Sequence, residues 1–252
     1  MEPDYAPAWA GLAHAYWMHA WFYLMPTQQA MPLLKEAALR TLELDDQLAQ
    51  GHSSLGLFEC GFEWNWPVGE TRFRRAIDLQ PGLAIIYPFY AVAALLPQLR
   101  FQEACSMVER GLSLDPFNPL FHAIAVFVYA NAGRHDDALR QYALGLEANP
   151  LFPPTLGAGA IAYERAGRLD EAIPRFQKLC EVTQDRPLRC RFWATRWPFP
   201  VNAQRRSASC NDFCSFRRGP IWILPGYTSD CMMRKTPSAT SKRRHCSGTS
   251  TC

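Results

Sequence analysis

The side chains best placed for chemistry are few, and their spacing argues against an active centre. His14 and His19 stand five residues apart, which puts them on different helical faces rather than in the i, i+4 geometry of paired metal ligands. Arg134-His135-Asp136-Asp137 sets base beside acid. It falls at a Gly-Arg turn, however, where such residues cap and solvate a helix start. Cys210-x3-Cys214 with Cys231, His245 or Cys246 has a spacing that zinc sites tolerate, but no matching second pair occurs. Trp64-Asn65-Trp66-Pro67 reads as two indoles closing over a turn beside Phe62. No phosphate-cradling glycine loop, His-Glu-x-x-His or nucleophile elbow occurs. The expectation is a protein that is not an enzyme and needs no cofactor.

The chain is organised instead by a period. Pro81, Pro116, Pro150 and then Gln184 occupy one slot at steps of 35, 34 and 34 residues. Each interval holds two alanine-rich amphipathic segments, the mark of a solenoid built from helix pairs. In the clearest copy, PLFHAIAVFVYANAG from Pro119 places Ala125, Val126 and Tyr129 on one face. A Gly133-Arg134 turn follows, and HDDALRQYALGLEANP carries Ala138, Tyr142 and Gly145 on the next stripe. The following copy aligns without gaps through Gly159, Ala160, Tyr163, Gly167-Arg168, Ala172 and Phe176. Small residues at 138 and 172 let paired helices approach, while Tyr129, Tyr142, Tyr163 and Phe176 fill the space between repeats. Burying each such ring is worth about 1.5–3 kcal/mol. The turn glycines suit a positive φ, and Asp136-Asp137 and Asp170-Glu171 suit the start of a second helix.

Earlier copies are looser. Trp9, Leu12, Ala13 and Tyr16 open the first, and LELDD at 42–46 closes it. About nine extra residues fall within MHAWFYLMPTQQAMP, read as a lengthened first helix and a loop. Leu55-Gly56, Phe73, Ala76 and Pro81 mark the second copy, and Ala91, Val92, Leu95, Ala104, Val108, Gly111 and Pro116 the third. Five repeats therefore cover roughly residues 6–184.

This pattern resembles the tetratricopeptide (TPR) family, with an aromatic, Leu-Gly and Tyr in the first helix and Ala, an aromatic and Pro in the second. The resemblance implies an all-α fold, a right-handed α-solenoid of antiparallel helix pairs, and an irregular C-terminal tail. It also implies a protein or peptide partner lying in a concave groove lined by first helices. The slots on that side are His14, Trp17, Phe89, Phe127, Asn131, Glu164 and Arg165. Aromatic anchors there suit an amphipathic helix or extended peptide. The basic and Asn residues with which co-chaperone TPR domains clamp a terminal carboxylate do not stand at these slots. The Asp-Tyr-Ala-Pro-Ala-Trp-Ala-Gly-Leu-Ala-His-Ala-Tyr opening and the Trp-x-Trp turn before Phe73-Arg74-Arg75-Ala76-Ile77 look like TPR regions of bacterial winged-helix regulators or Ser/Thr kinase proteins. That likeness implies a role inside a larger bacterial signalling protein.

Both ends depart from the period. Pro3-Asp4-Tyr5-Ala6 matches the end of one repeat flowing into the next, so the repeat domain (1–186) is expected to be truncated N-terminally. Residues 1–186 carry 14 Lys/Arg against 21 Asp/Glu, whereas 187–252 carry 12 Lys/Arg against Asp212 and Asp230 alone. Six of the nine cysteines fall in this tail. Three readings stay open: a shifted reading frame, a disordered basic tail touching nucleic acid, or the Cys210–Cys214 metal site. An adaptor binding nucleic acid through this tail is the alternative function; elsewhere nucleic acid is not expected.

No secretory signal precedes the repeats. The longest apolar run, AIIYPFYAVAALLP at 84–97, is broken by Pro88 and too short to cross a bilayer. Cys60, Cys105 and Cys180 sit singly in helical segments and read as buried thiols. A cytoplasmic protein with no membrane partner is expected.

Overall fold

The computed structural model describes residues 4–22 and 24–183. Among them every regular element is helical, and the helices form five pairs. The pairs are α1 (Ala6–Trp21) with α2 (Thr27–Leu44), α3 (Ala49–Gly61) with α4 (Trp66–Leu79), and α5 (Ile86–Tyr90) with α6 (Phe101–Leu114). Then come α7 (Pro119–Asn131) with α8 (His135–Ala148), and α9 (Pro153–Arg165) with α10 (Leu169–Val182). A π-helical turn, Ala91–Leu95, continues α5. The expected all-α solenoid of helix pairs is thus the fold. The tail from 187, with its cysteines, lies outside the described residues.

Each helix packs against its hairpin partner, and the first helices also pack in succession, α1 on α3, α3 on α5, α5 on α7 and α7 on α9. Each second helix from α2 to α8 also touches the following first helix. First helices therefore meet neighbours on more sides, which is why nine of the thirteen α7 residues are buried but only three of the fourteen in α8. Residues 86–96, within the longest apolar run, are buried throughout.

Helix starts follow from sequence. Proline occupies the first turn of α1, α4, α7 and α9, where its missing N–H costs no bond. Asn118 caps α7 by accepting from the Leu120 amide at 3.1 Å. The turns inside the second to fifth pairs share one device. Trp64, Leu99, Gly133 and Gly167 all hold positive φ, at 58°, 60°, 76° and 75°. Only the last two were legible as glycines. The next residue then reaches over the new helix: Arg100 to Glu103, Arg134 to Asp137 and Arg168 to Glu171, with Nε–O distances of 2.7, 2.6 and 2.6 Å.

The 35-residue step from Pro81 to Pro116 has a structural cause. Twelve residues separate Tyr87 from Leu99, against eleven from His122 to Gly133, and the π turn Ala91–Leu95 absorbs the extra one. The insertion in the first repeat is shared more widely than its sequence suggested. Both α1 and α2 are lengthened, to 16 and 18 residues, around a short connection. Cys60 and Cys105 are buried free thiols, as read; burial pushes the Cys60 thiol up to about 12. Cys180 departs from that reading, since it is disulfide-bonded.

Glycine lets helices approach closely, as at Gly56 and Gly159. Gly56 faces the Phe73 ring, which a methyl would meet at 3.0 Å. A methyl on Gly159 would overlap the Tyr142 ring. Tyr142 in turn stands edge-on to Tyr163, ring centroids 6.1 Å apart, so the aromatic slots do fill the space between repeats. Arg175 lies over Tyr163 at 3.7 Å.

Candidate partner-binding groove

The seven residues counted onto the inner side of the first helices divide into two groups. At the N-terminal end His14 and Trp17 of α1 meet Phe89 of α5. The His14 and Phe89 ring centroids lie 5.4 Å apart at 63°, and those of Trp17 and Phe89 6.4 Å apart at 85°. The contact passes across α3, which is rich in small buried residues such as Ser53, Ser54 and Gly56. Trp17 retains 7% of its surface and Phe89 2%. Their apolar area is already spent within the fold, so they brace this end rather than offer it. His14 is half-buried, and burial draws its pKa below the ordinary histidine value.

The second group stays accessible. Phe127 of α7 is half-buried. Asn131, one turn on, is half-buried and donates from Nδ2 to the Phe127 carbonyl at 2.7 Å. On α9, Glu164 is half-buried and Arg165 exposed. Burial pushes the Glu164 carboxyl up to about 7, with the Arg165 charge pulling the other way. This stretch sets an aromatic ring, an amide and a carboxyl along successive first helices.

Sequence reasoning missed a set of polar clamps on the second helices. Glu70 of α4 accepts from Arg100 Nη1 at 2.5 Å, Gln98 Nε2 at 2.8 Å and Tyr90 Oη at 3.1 Å. Burial alone would raise its carboxyl, but the bonds from Arg100 and Gln98 outweigh it and hold the group below its ordinary value. One repeat on, Glu109 of α6 accepts from Tyr129 Oη at 3.2 Å and from Arg134 at 3.1 Å. Each clamp joins a second helix to the next repeat. The recurring Tyr and turn Arg were visible as single letters, but their shared acceptors lie 20 to 30 residues away.

No family model matches the sequence, and no curated protein matches it either. Solved structures do. TTC0263, a thermophilic TPR protein from Thermus thermophilus, superposes with a TM-score of 0.59 at 19% identity, over 67% of this chain and 91% of its own. PilW, a type IV pilus biogenesis factor, gives 0.58 at 19% identity, over 79% of this chain and 87% of its own. The Cut9-Hcn1 hetero-tetramer of APC/C gives 0.60 at 15% identity, over 77% of this chain and 36% of that one. At these identities the likeness concerns the fold. Among the described residues no helix is long and apolar enough to cross a membrane. By fold, the described part of the chain is a tetratricopeptide-type α-solenoid.

Proposed function

We propose that this protein is a non-enzymatic scaffold that binds a protein or peptide partner along the inner faces of α7 and α9. The observation that carries the reading is Phe127, packed on the core yet partly exposed, with the Asn131 amide one turn on and the half-buried Glu164 carboxyl on the next first helix. An amphipathic helix or extended peptide places an apolar side chain against Phe127 and a cationic group near Glu164. Trp17 and Phe89 hold the curvature of the N-terminal end and His14 flanks them.

Pull-down of partners with Phe127→Ala and Glu164→Gln chains tests it, with circular dichroism as the control for folding. Partner recovery falls several-fold for both variants if the reading is right. Unchanged recovery from a folded Phe127→Ala chain removes the groove from consideration.

The finer reading, a repeat region working within a bacterial signalling or regulatory protein, is supported by the order of the first repeat and the Trp64-x-Trp66 turn. Reading the coding sequence on both sides, in all frames, tests that placement and the reality of the tail together.

A further inference from the structure

A second binding place is built on a second helix. On α4 the residues Val68, Thr71, Arg72 and Arg75 follow i, i+3, i+4, i+7 spacing and share one side of the helix. Gly69, Phe73 and Ala76, further round the helix, are the ones buried in the core. The first four, with Pro67 and with His52 of α3, line an open cavity of about 520 Å³.

The charges at this cavity are uncompensated. Among the described residues, Arg40, Arg74, Arg100, Arg134, Arg140 and Arg168 all pair with carboxylates. Arg72 makes no ion pair, hydrogen bond or ring contact with the described residues. Arg75 gives one bond, to the neutral Gln47 Oε1 at 3.1 Å. None of the described residues lining the cavity is acidic. Two guanidiniums three residues apart on one helix face repel each other, and an anion between them removes that cost. Other donors on the wall are already engaged: Thr71 Oγ1 donates to the Pro67 carbonyl at 2.9 Å and His52 Nε2 to the Asp46 carbonyl at 3.0 Å. An anion is thus left to the arginines, beside the exposed apolar surface of Pro67 and Val68.

Those walls select the kind of anion. A guanidinium fork matches a carboxylate through two parallel bonds. A carboxylate carries a single charge, whereas a phosphoryl dianion gives up more hydration beside an apolar wall. The cavity is also larger than a carboxylate alone requires, so it admits an aliphatic neighbour. Because residues 1–186 carry 14 Lys/Arg against 21 Asp/Glu, this positive spot is local, and it fixes where an acidic side chain settles.

We infer that this cavity takes an acidic side chain of a partner segment, a Glu or Asp beside an aliphatic residue. The carboxylate accepts from Arg72 and Arg75, and the aliphatic neighbour lies on Pro67 and Val68. None of Phe127, Asn131, Glu164 and Arg165 lines the cavity, so the site stands or falls apart from the groove.

The test is a titration of the full chain, followed by NMR of the Arg72 side chain and the Val68 methyls. The probes are acetyl-Ala-Leu-Glu-Ala-amide and three analogues: Gln for Glu, phosphoserine for Glu, and Ala for Leu. The Leu-Glu peptide is expected to give saturable shifts at both residues, with binding about fivefold or more tighter than the Gln analogue. Replacing its Leu by Ala should weaken binding about threefold or more. Arg72→Gln should abolish the response and leave the thermal midpoint unchanged, since Arg72 has no partner in the fold to lose. Arg140→Gln, on a second helix away from the cavity, should bind as the native chain does. Absence of saturable shifts overturns the inference. So does equal binding of the Gln analogue, which marks a neutral polar slot, or of the Ala analogue, which removes the apolar contact. Tighter binding of the phosphoserine analogue overturns the choice of a carboxylate. An Arg72→Gln chain that binds the Leu-Glu peptide undiminished overturns it as well.

Discussion

Leu99 holds, at φ 60°, the turn position that Gly133 holds at φ 76° one repeat later. A side chain in the left-handed region is strained by about 1–2 kcal/mol, and Leu99, 70% exposed, recovers little of that through burial. Leu99→Gly is therefore expected to stabilise the chain by about 0.5–1 kcal/mol, after the extra chain entropy of glycine. Urea denaturation reads the change as a higher midpoint. Trp64 at the same slot is a different case, because its indole packs edge-on to Trp66 at 6.0 Å. Trp64→Gly loses that contact and gains no comparable stability.

Gly159 lies against the Tyr142 ring, so the smallest added side chain forces two packed helices apart. Gly159→Ala is expected to cost about 1–3 kcal/mol despite alanine's better helix propensity. A thermal midpoint unchanged or raised in Gly159→Ala would contradict the packing described for α8 and α9.

Trp17 and Phe127 separate fold from binding. With 7% of its surface exposed, Trp17 is a core ring, and Trp17→Ala should cost about 3–5 kcal/mol. Phe127→Ala should cost less stability and more partner recovery. Denaturant melts run beside pull-downs distinguish the two.

Glu70 joins α4 to the third repeat through three donors and is largely buried, its side chain 12% exposed. Glu70→Ala leaves those donors unmatched, at a cost of about 1–3 kcal/mol. Because the folded-state carboxyl is held below its ordinary value, its contribution is present above the unfolded pKa and is lost as pH falls through the folded one. The stability gap between the native chain and Glu70→Gln should stay level from about pH 5 to 8 and close in acid. A gap that widens in acid rejects this assignment.

Glu164 has the opposite sign. Its folded-state pKa is raised from 4.5 to about 7, so over that window the folded chain keeps a proton that the unfolded chain releases. Stability then falls as pH rises through the window and levels off above it. Glu164→Gln should flatten this dependence, as melts at a series of pH values would record. NMR titration of the Glu164 carboxyl gives the midpoint directly.

The period, the pairing of helices and the alternation of small and aromatic slots were all legible in the residues. The reason is local: 3.6-residue periodicity decides which side chains share a face, and Gly-Arg or Pro marks the places where a helix must stop. Trp64 and Leu99 escaped that reading because their residue types argue against a positive φ, which the packed hairpin imposes on them. The seven inner-face slots could be counted, but not sorted. His14 and Trp17 meet Phe89 across an intervening helix, some seventy residues along the chain, and only the approach of non-adjacent repeats covers those rings while leaving Phe127 partly exposed. That Arg72 has no partner among the described residues was likewise invisible, since an arginine's partners are set by what the neighbouring helix brings opposite it. Faces are a property of the sequence; whether a face is covered is a property of the stack, because burial depends on contacts between residues far apart in the chain.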